Sequence, residues 1–105
     1  MKVLLDACVP RPLRQFLPAH TVQTAQEMGW GKLKNGALLQ AAEPQFHAFL
    51  TSDQSLKYQQ NIAGRKLAIL VLPTNDWPII RRHTGEIAEK VAALKPGDFV
   101  ELDWN

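Results

Sequence analysis

Residues 2–13 read KVLLDACVPRPL, and the order of residue types in this stretch decides the fold. Val3, Leu4 and Leu5 are consecutive apolar residues, which is the mark of a strand covered on both faces rather than one. An acid, Asp6, stands where the run ends. Pro10 and Pro12 then open a short helix, RPLRQFL, because proline is tolerated in a first helical turn, and Pro18 closes it.

The same grammar repeats downstream. HTVQTA alternates in the manner of a strand, with β-branched Val22 and Thr24. QEMGWGKLKNG is rich in turn formers. Asn35 is placed to cap a helix over GALLQAAEPQF, whose Ala37, Leu38, Ala41 and Ala42 share one face. HAFLTS is a strand and closes on Asp53. KLAILVL, residues 66–72, is the most apolar strand and is expected at or near the sheet centre. WPIIRRHTGEIAEKVAALK carries Ile79, Ile80, His83, Ile87, Val91 and Leu94 at helical spacing, which predicts one long amphipathic helix. PGDFVELDW ends the chain with a turn and an alternating strand. The predicted order β-α-β-α-β-β-α-β gives an α/β domain with a mostly parallel sheet.

Bulk properties agree. A chain of 105 residues with 46% hydrophobic and 21% charged residues is sized and composed for one globular domain, residues 1–105. Cys8 is the single cysteine, so no disulfide forms within the chain. No apolar run is long enough for a signal peptide or a membrane span, and a cytoplasmic location without membrane partners is the expectation. The net charge of +2 assists a polyanion's approach but falls short of a nucleic-acid signature.

Asp6 and Asp53 carry the chemistry. In a parallel sheet, functional groups gather at the carboxyl ends of strands near the point where the strand order reverses. Two aspartates brought together there repel, so one keeps a proton or a cation lies between them. Mg²⁺ and Mn²⁺ suit such oxygen ligands, and the chemistry that follows is metal-assisted phosphodiester hydrolysis. The competing reading is that each aspartate only forms a turn or caps a helix.

The blocks KVLLDACVPRPL, QEMGWGKLKNGALL and HAFLTSDQSLKYQQN, with the apolar strand that follows, resemble the small bacterial PIN-like domains. These are domains of unknown function related to VapC-type toxin nucleases. The resemblance implies a PIN-like three-layer α/β/α sandwich and descent from ribonucleases whose clustered acids hold one or two Mg²⁺ or Mn²⁺ ions. It further implies RNA as substrate and, for a toxin, a cognate antitoxin as partner. By this resemblance Asp6 and Asp53 are the catalytic, metal-holding acids, and Glu27 is a further ligand candidate. Where the family often carries acids, this chain has Ala7, Ala37 and His47, and each lost carboxylate lowers affinity for a hard cation.

Around these acids, Arg11, Arg14 and Lys57 are candidates for RNA phosphates or an acidic antitoxin. Asn35, Ser52, Gln54 and Asn61 are candidates for substrate contact or for holding Asp53 in place. Lys32 and Lys34 flank Trp30, which serves either as a base-stacking platform or as a lid on the core. His47 is a general-base candidate if it stands beside the substrate. Three readings result: a ribonuclease, a non-catalytic module for RNA or protein, and a homodimeric scaffold joined through Trp77, Ile79, Ile80 and Trp104.

Overall fold

The computed structural model describes residues 1–58 and 64–104. Five short strands, β1 (Lys2–Leu5), β2 (Thr21–Thr24), β3 (Ala48–Thr51), β4 (Ala68–Val71) and β5 (Phe99–Glu101), form one sheet in the order β2-β1-β3-β4-β5. Every neighbouring pair is parallel. KLAILVL forms β4, beside the central β3.

Side-chain alternation divides the interior into two cores. Val3, Leu5, Ala48, Leu50, Ala68 and Leu70 point to one face, where Leu13, Ile80, Ile87 and Val91 cover them. Leu4, Phe49, Ile69 and Val71 point to the other and meet Leu38, Leu39, Ala42 and Leu56. Covering on both faces is why these strands read as unbroken apolar runs. The fold is a three-layer α/β sandwich. Among the described residues no helix is long and apolar enough to cross a membrane.

The helices differ from the sequence expectation in three places. RPLRQF is a 3₁₀ helix, Arg11–Phe16; Pro12 has no N–H to donate, and short 3₁₀ turns tolerate that. Helix α1 (Asn35–Ala42) has Lys34 at its N-cap, so Asn35 is its first residue and not its cap, and it ends before the expected EPQF stretch, where Pro44 follows the Glu43 C-cap. The long C-terminal helix is two helices, α2 (Trp77–Arg81) and α3 (Thr84–Ala93). His83 breaks the run with φ −118° and ψ 16°, and its N–H bonds the Ile80 carbonyl at 2.8 Å in a tightened turn. Thr84 and Gly85 follow, both poor helix-interior residues. Apolar spacing alone misses this break, because Ile80, Ile87 and Val91 stay on one face across it.

Candidate functional site

The register pairs Leu5 with Leu50, so β1 and β3 end side by side. The Asp6 N–H donates to the Leu50 carbonyl at 2.9 Å, which fixes the aspartate at the sheet's carboxyl edge. Strand order reverses here, since β1 is followed by β2 on one side and adjoins β3 on the other. Asp53 lies two residues past β3. Both aspartates are half-buried.

Thr51, wholly buried at the end of β3, links the two. Its hydroxyl donates to Asp6 Oδ2 at 2.7 Å and accepts the Asp53 N–H at 3.1 Å. Asp6 also accepts the Ala7 N–H on Oδ1 at 2.8 Å and, more weakly, the Cys8 thiol on Oδ2 at 3.6 Å. Asp53 accepts the Ser55 N–H and hydroxyl on Oδ1 at 2.9 and 2.7 Å, and the Asn35 amide on Oδ2. The Ser55 hydroxyl first, then Asn35, hold the Asp53 carboxyl below its ordinary range against the opposing effect of burial, and the Ser55 N–H adds to them. It is therefore a carboxylate at neutral pH.

A carboxylate offers about four lone-pair directions. Three on each aspartate are already engaged by the protein, leaving about one on each outside these bonds. Two single oxygen contacts suit a hard octahedral ion that keeps most of its waters and depends on substrate phosphate for the rest. Both donors are carboxylate oxygens, the ligand type that Mg²⁺ and Mn²⁺ take.

Glu27 does not join the aspartates. It follows β2, where its carboxylate accepts the Thr24 N–H at 2.9 Å and pairs with Arg14. The Thr24 N–H first, with help from Arg14, lowers its pKa. Among the described residues, no group of three or more histidine, cysteine, aspartate or glutamate side chains is arranged to hold a metal.

The remaining candidates separate clearly. Asn35 sits on Asp53 through its side chain. Ser52 donates its hydroxyl to Cys8 Sγ at 3.1 Å. Gln54 donates to the Leu72 carbonyl at 2.7 Å, tying the loop after β3 to the end of β4. Lys57 pairs with Glu101 at 3.6 Å. Arg11 is exposed and, with Pro12, Arg14 and Gln15, lines a shallow depression of about 250 Å³. Asn61, together with Gln59 and Gln60, lies outside the described residues.

His47 is at the wrong end for a general base: it precedes β3, and its Nδ1 accepts the Lys2 N–H at 2.9 Å, across the sheet from the aspartates. Trp30 packs on the second core, edge-on to Phe46 with centroids 6.1 Å apart, so it is a lid. Glu43 is only partly exposed, with Oε1 accepting the Lys66 N–H at 2.8 Å. Trp77, Ile80 and Trp104 pack against their own core.

Two roles escaped the sequence. Thr51 reads there as one more strand residue of HAFLTS, and Ser55 as a turn cap or a contact to a metal-bound water. An acid flanked closely by hydroxyl residues, as in TSDQS, is the signal that was present. No protein-family model matches the chain, and neither curated proteins nor solved structures yield a match.

Proposed function

We propose that this chain is a PIN-like, Mg²⁺- or Mn²⁺-dependent ribonuclease in which Asp6 and Asp53 are the acids of the site. The observation that carries the reading is their placement at the ends of adjacent strands, coupled through the Thr51 hydroxyl. A divalent ion bound there supplies charge neutralisation at a scissile phosphodiester and an activated water.

The chain's own residues do the rest. Asn35 and Ser55 keep Asp53 ionised and aimed. Thr51 fixes Asp6 relative to Asp53, so the pair is organised before substrate arrives. Exposed Arg11 would meet RNA phosphate in this reading, whereas Arg14 and Lys57 are paired with Glu27 and Glu101. In a toxin–antitoxin setting, the basic 3₁₀ helix is the surface that an acidic antitoxin would cover.

The test is cleavage of an end-labelled single-stranded RNA with Mn²⁺, with Mg²⁺ and with chelator. Cleavage that needs the ion and disappears in both Asp6→Asn and Asp53→Asn supports the reading. Cleavage that survives chelator or both substitutions would sink it. A second reading, a PIN-like module that binds RNA or protein without cutting, is favoured by one observation. Each carboxylate is three-quarters occupied by protein donors, and no third acid joins them among the described residues. RNA retention without cleavage, unaffected by Asp6→Asn, would select it.

A further inference from the structure

At the amino ends of the strands, opposite the aspartates, lies a concavity that the proposed reaction does not use. Residues before β1, β3 and β4 and the end of α3 enclose a cleft of about 400 Å³. Four-residue strands separate it from the aspartate edge by about 13 Å at 3.3 Å per residue. Small-molecule sites occupy roughly 300–1,000 Å³ and combine apolar walls with a few polar groups. This cleft has both.

Its walls include Phe46, Leu67 and Leu94. Phe46 and Leu67 are 4% and 2% exposed, so they form a firm floor. Lys66 and Lys95 line the rim, both exposed and neither paired with a carboxylate side chain among the described residues. A third cation stands nearby, with Lys2 Nζ 5.2 Å from the centre of the Phe46 ring. His47, also in the lining, accepts the Lys2 N–H on Nδ1 at 2.9 Å. With Nδ1 used as an acceptor, Nε2 is the ring nitrogen available to donate.

The acid in the lining is already ion-paired, and its buried Oε2 makes no hydrogen bond. Glu43 Oε1 takes the Lys66 N–H at 2.8 Å, and Oε2 pairs with Arg65 at 3.5 Å. Asp98, close in sequence, accepts the Lys95 N–H at 2.8 Å and is not part of the lining. What remains is an apolar floor beneath two lysine side chains that have no carboxylate partner among the described residues.

We propose that this cleft binds a small organic anion with a flat apolar body, an aromatic carboxylate in chemical class. The ring is buried against Phe46, Leu67 and Leu94, and the carboxylate is met by Lys66, Lys95 and the His47 Nε2–H. The proposal stands independently of the nuclease reading, because it uses the other end of the sheet.

The experiment is calorimetric titration of the full chain with naphthoate and with naphthalenemethanol, its uncharged counterpart. Naphthoate is expected to saturate one site, with the alcohol about tenfold weaker or worse, a difference of about 1.4 kcal/mol. Lys66→Gln/Lys95→Gln is expected to weaken naphthoate by a similar factor while melting normally, since both side chains are exposed. Asp6→Asn is expected to bind as wild type does. Absence of saturable binding, equal affinity for acid and alcohol, or undiminished binding by the double variant would each overturn the proposal. So would loss of binding in Asp6→Asn alone, which would put the ligand at the aspartate end.

Discussion

The Thr51 hydroxyl stands between Asp6 and Asp53, donating to the carboxylate of the first and accepting the backbone N–H of the second. One buried oxygen thus couples the ends of two strands to the two acids of the candidate site. Thr51→Val keeps the shape and removes both bonds, leaving a half-buried Asp53 N–H without this partner and Asp6 Oδ2 with only the weak Cys8 thiol contact. The expected cost is about 1–3 kcal/mol by urea unfolding, with Thr51→Ser recovering most of it. A Val variant as stable as wild type would show that the link carries no structural weight.

Cation binding should follow the carboxylate count at one end of the sheet only. Millimolar Mn²⁺ is expected to raise the melting temperature of wild type and not of Asp6→Asn, since binding to the native state adds RT ln(1 + [L]/Kd). Ala7 adjoins Asp6 in sequence and is exposed. Ala7→Glu should enlarge the Mn²⁺ shift by adding charge next to Asp6, a proposed ligand. His47→Asp should not, because His47 precedes β3. A larger shift from His47→Asp than from Ala7→Glu would contradict this placement of the site.

The strand ends were readable because burial on both faces leaves an unbroken apolar run, and the first acid after it marks the edge. What stayed hidden was whatever depended on a distant partner. Glu27 looks like a free acid until Arg14 arrives from the 3₁₀ helix. Asn35 has the chemistry of a helix cap and of an amide donor to a carboxylate, and only the position of Asp53 chooses between them. The amino-end cleft is lined from four separate segments, so no window of sequence contains it.

Glu27 also predicts a feature of acid stability. Its folded pKa lies below the ordinary value, chiefly through the Thr24 N–H and then Arg14. A depressed carboxylate contributes stability that is present above its unfolded pKa and is lost as pH falls through the folded one. Glu27→Gln should therefore narrow the stability difference between neutral pH and acid, with the two proteins converging at the lowest pH. Parallel curves of stability against pH would mean the Glu27 contacts do not persist in solution.

The junction of α2 and α3 is packed against the chain beyond β5. Trp104 stacks on His83 with centroids 4.0 Å apart and planes 5° from parallel. Its indole N–H donates to Glu86 Oε2 at 3.1 Å, while Glu86 Oε1 lies 3.8 Å from His83 Nδ1. Stacked rings contribute about 0.5–1.5 kcal/mol beyond area burial, and one net hydrogen bond adds about 1 kcal/mol. Trp104→Leu should thus cost about 1.5–2.5 kcal/mol on those two terms. The telling measurement is amide exchange at His83 and Ile87, whose N–H groups bond Ile80 and His83 carbonyls across the break. Faster exchange there in Trp104→Leu, with the β3 and β4 amides unchanged, would show that the tail holds the break in place. Unchanged exchange would assign the break to Thr84 and Gly85, whose local preferences would then end α2 without help.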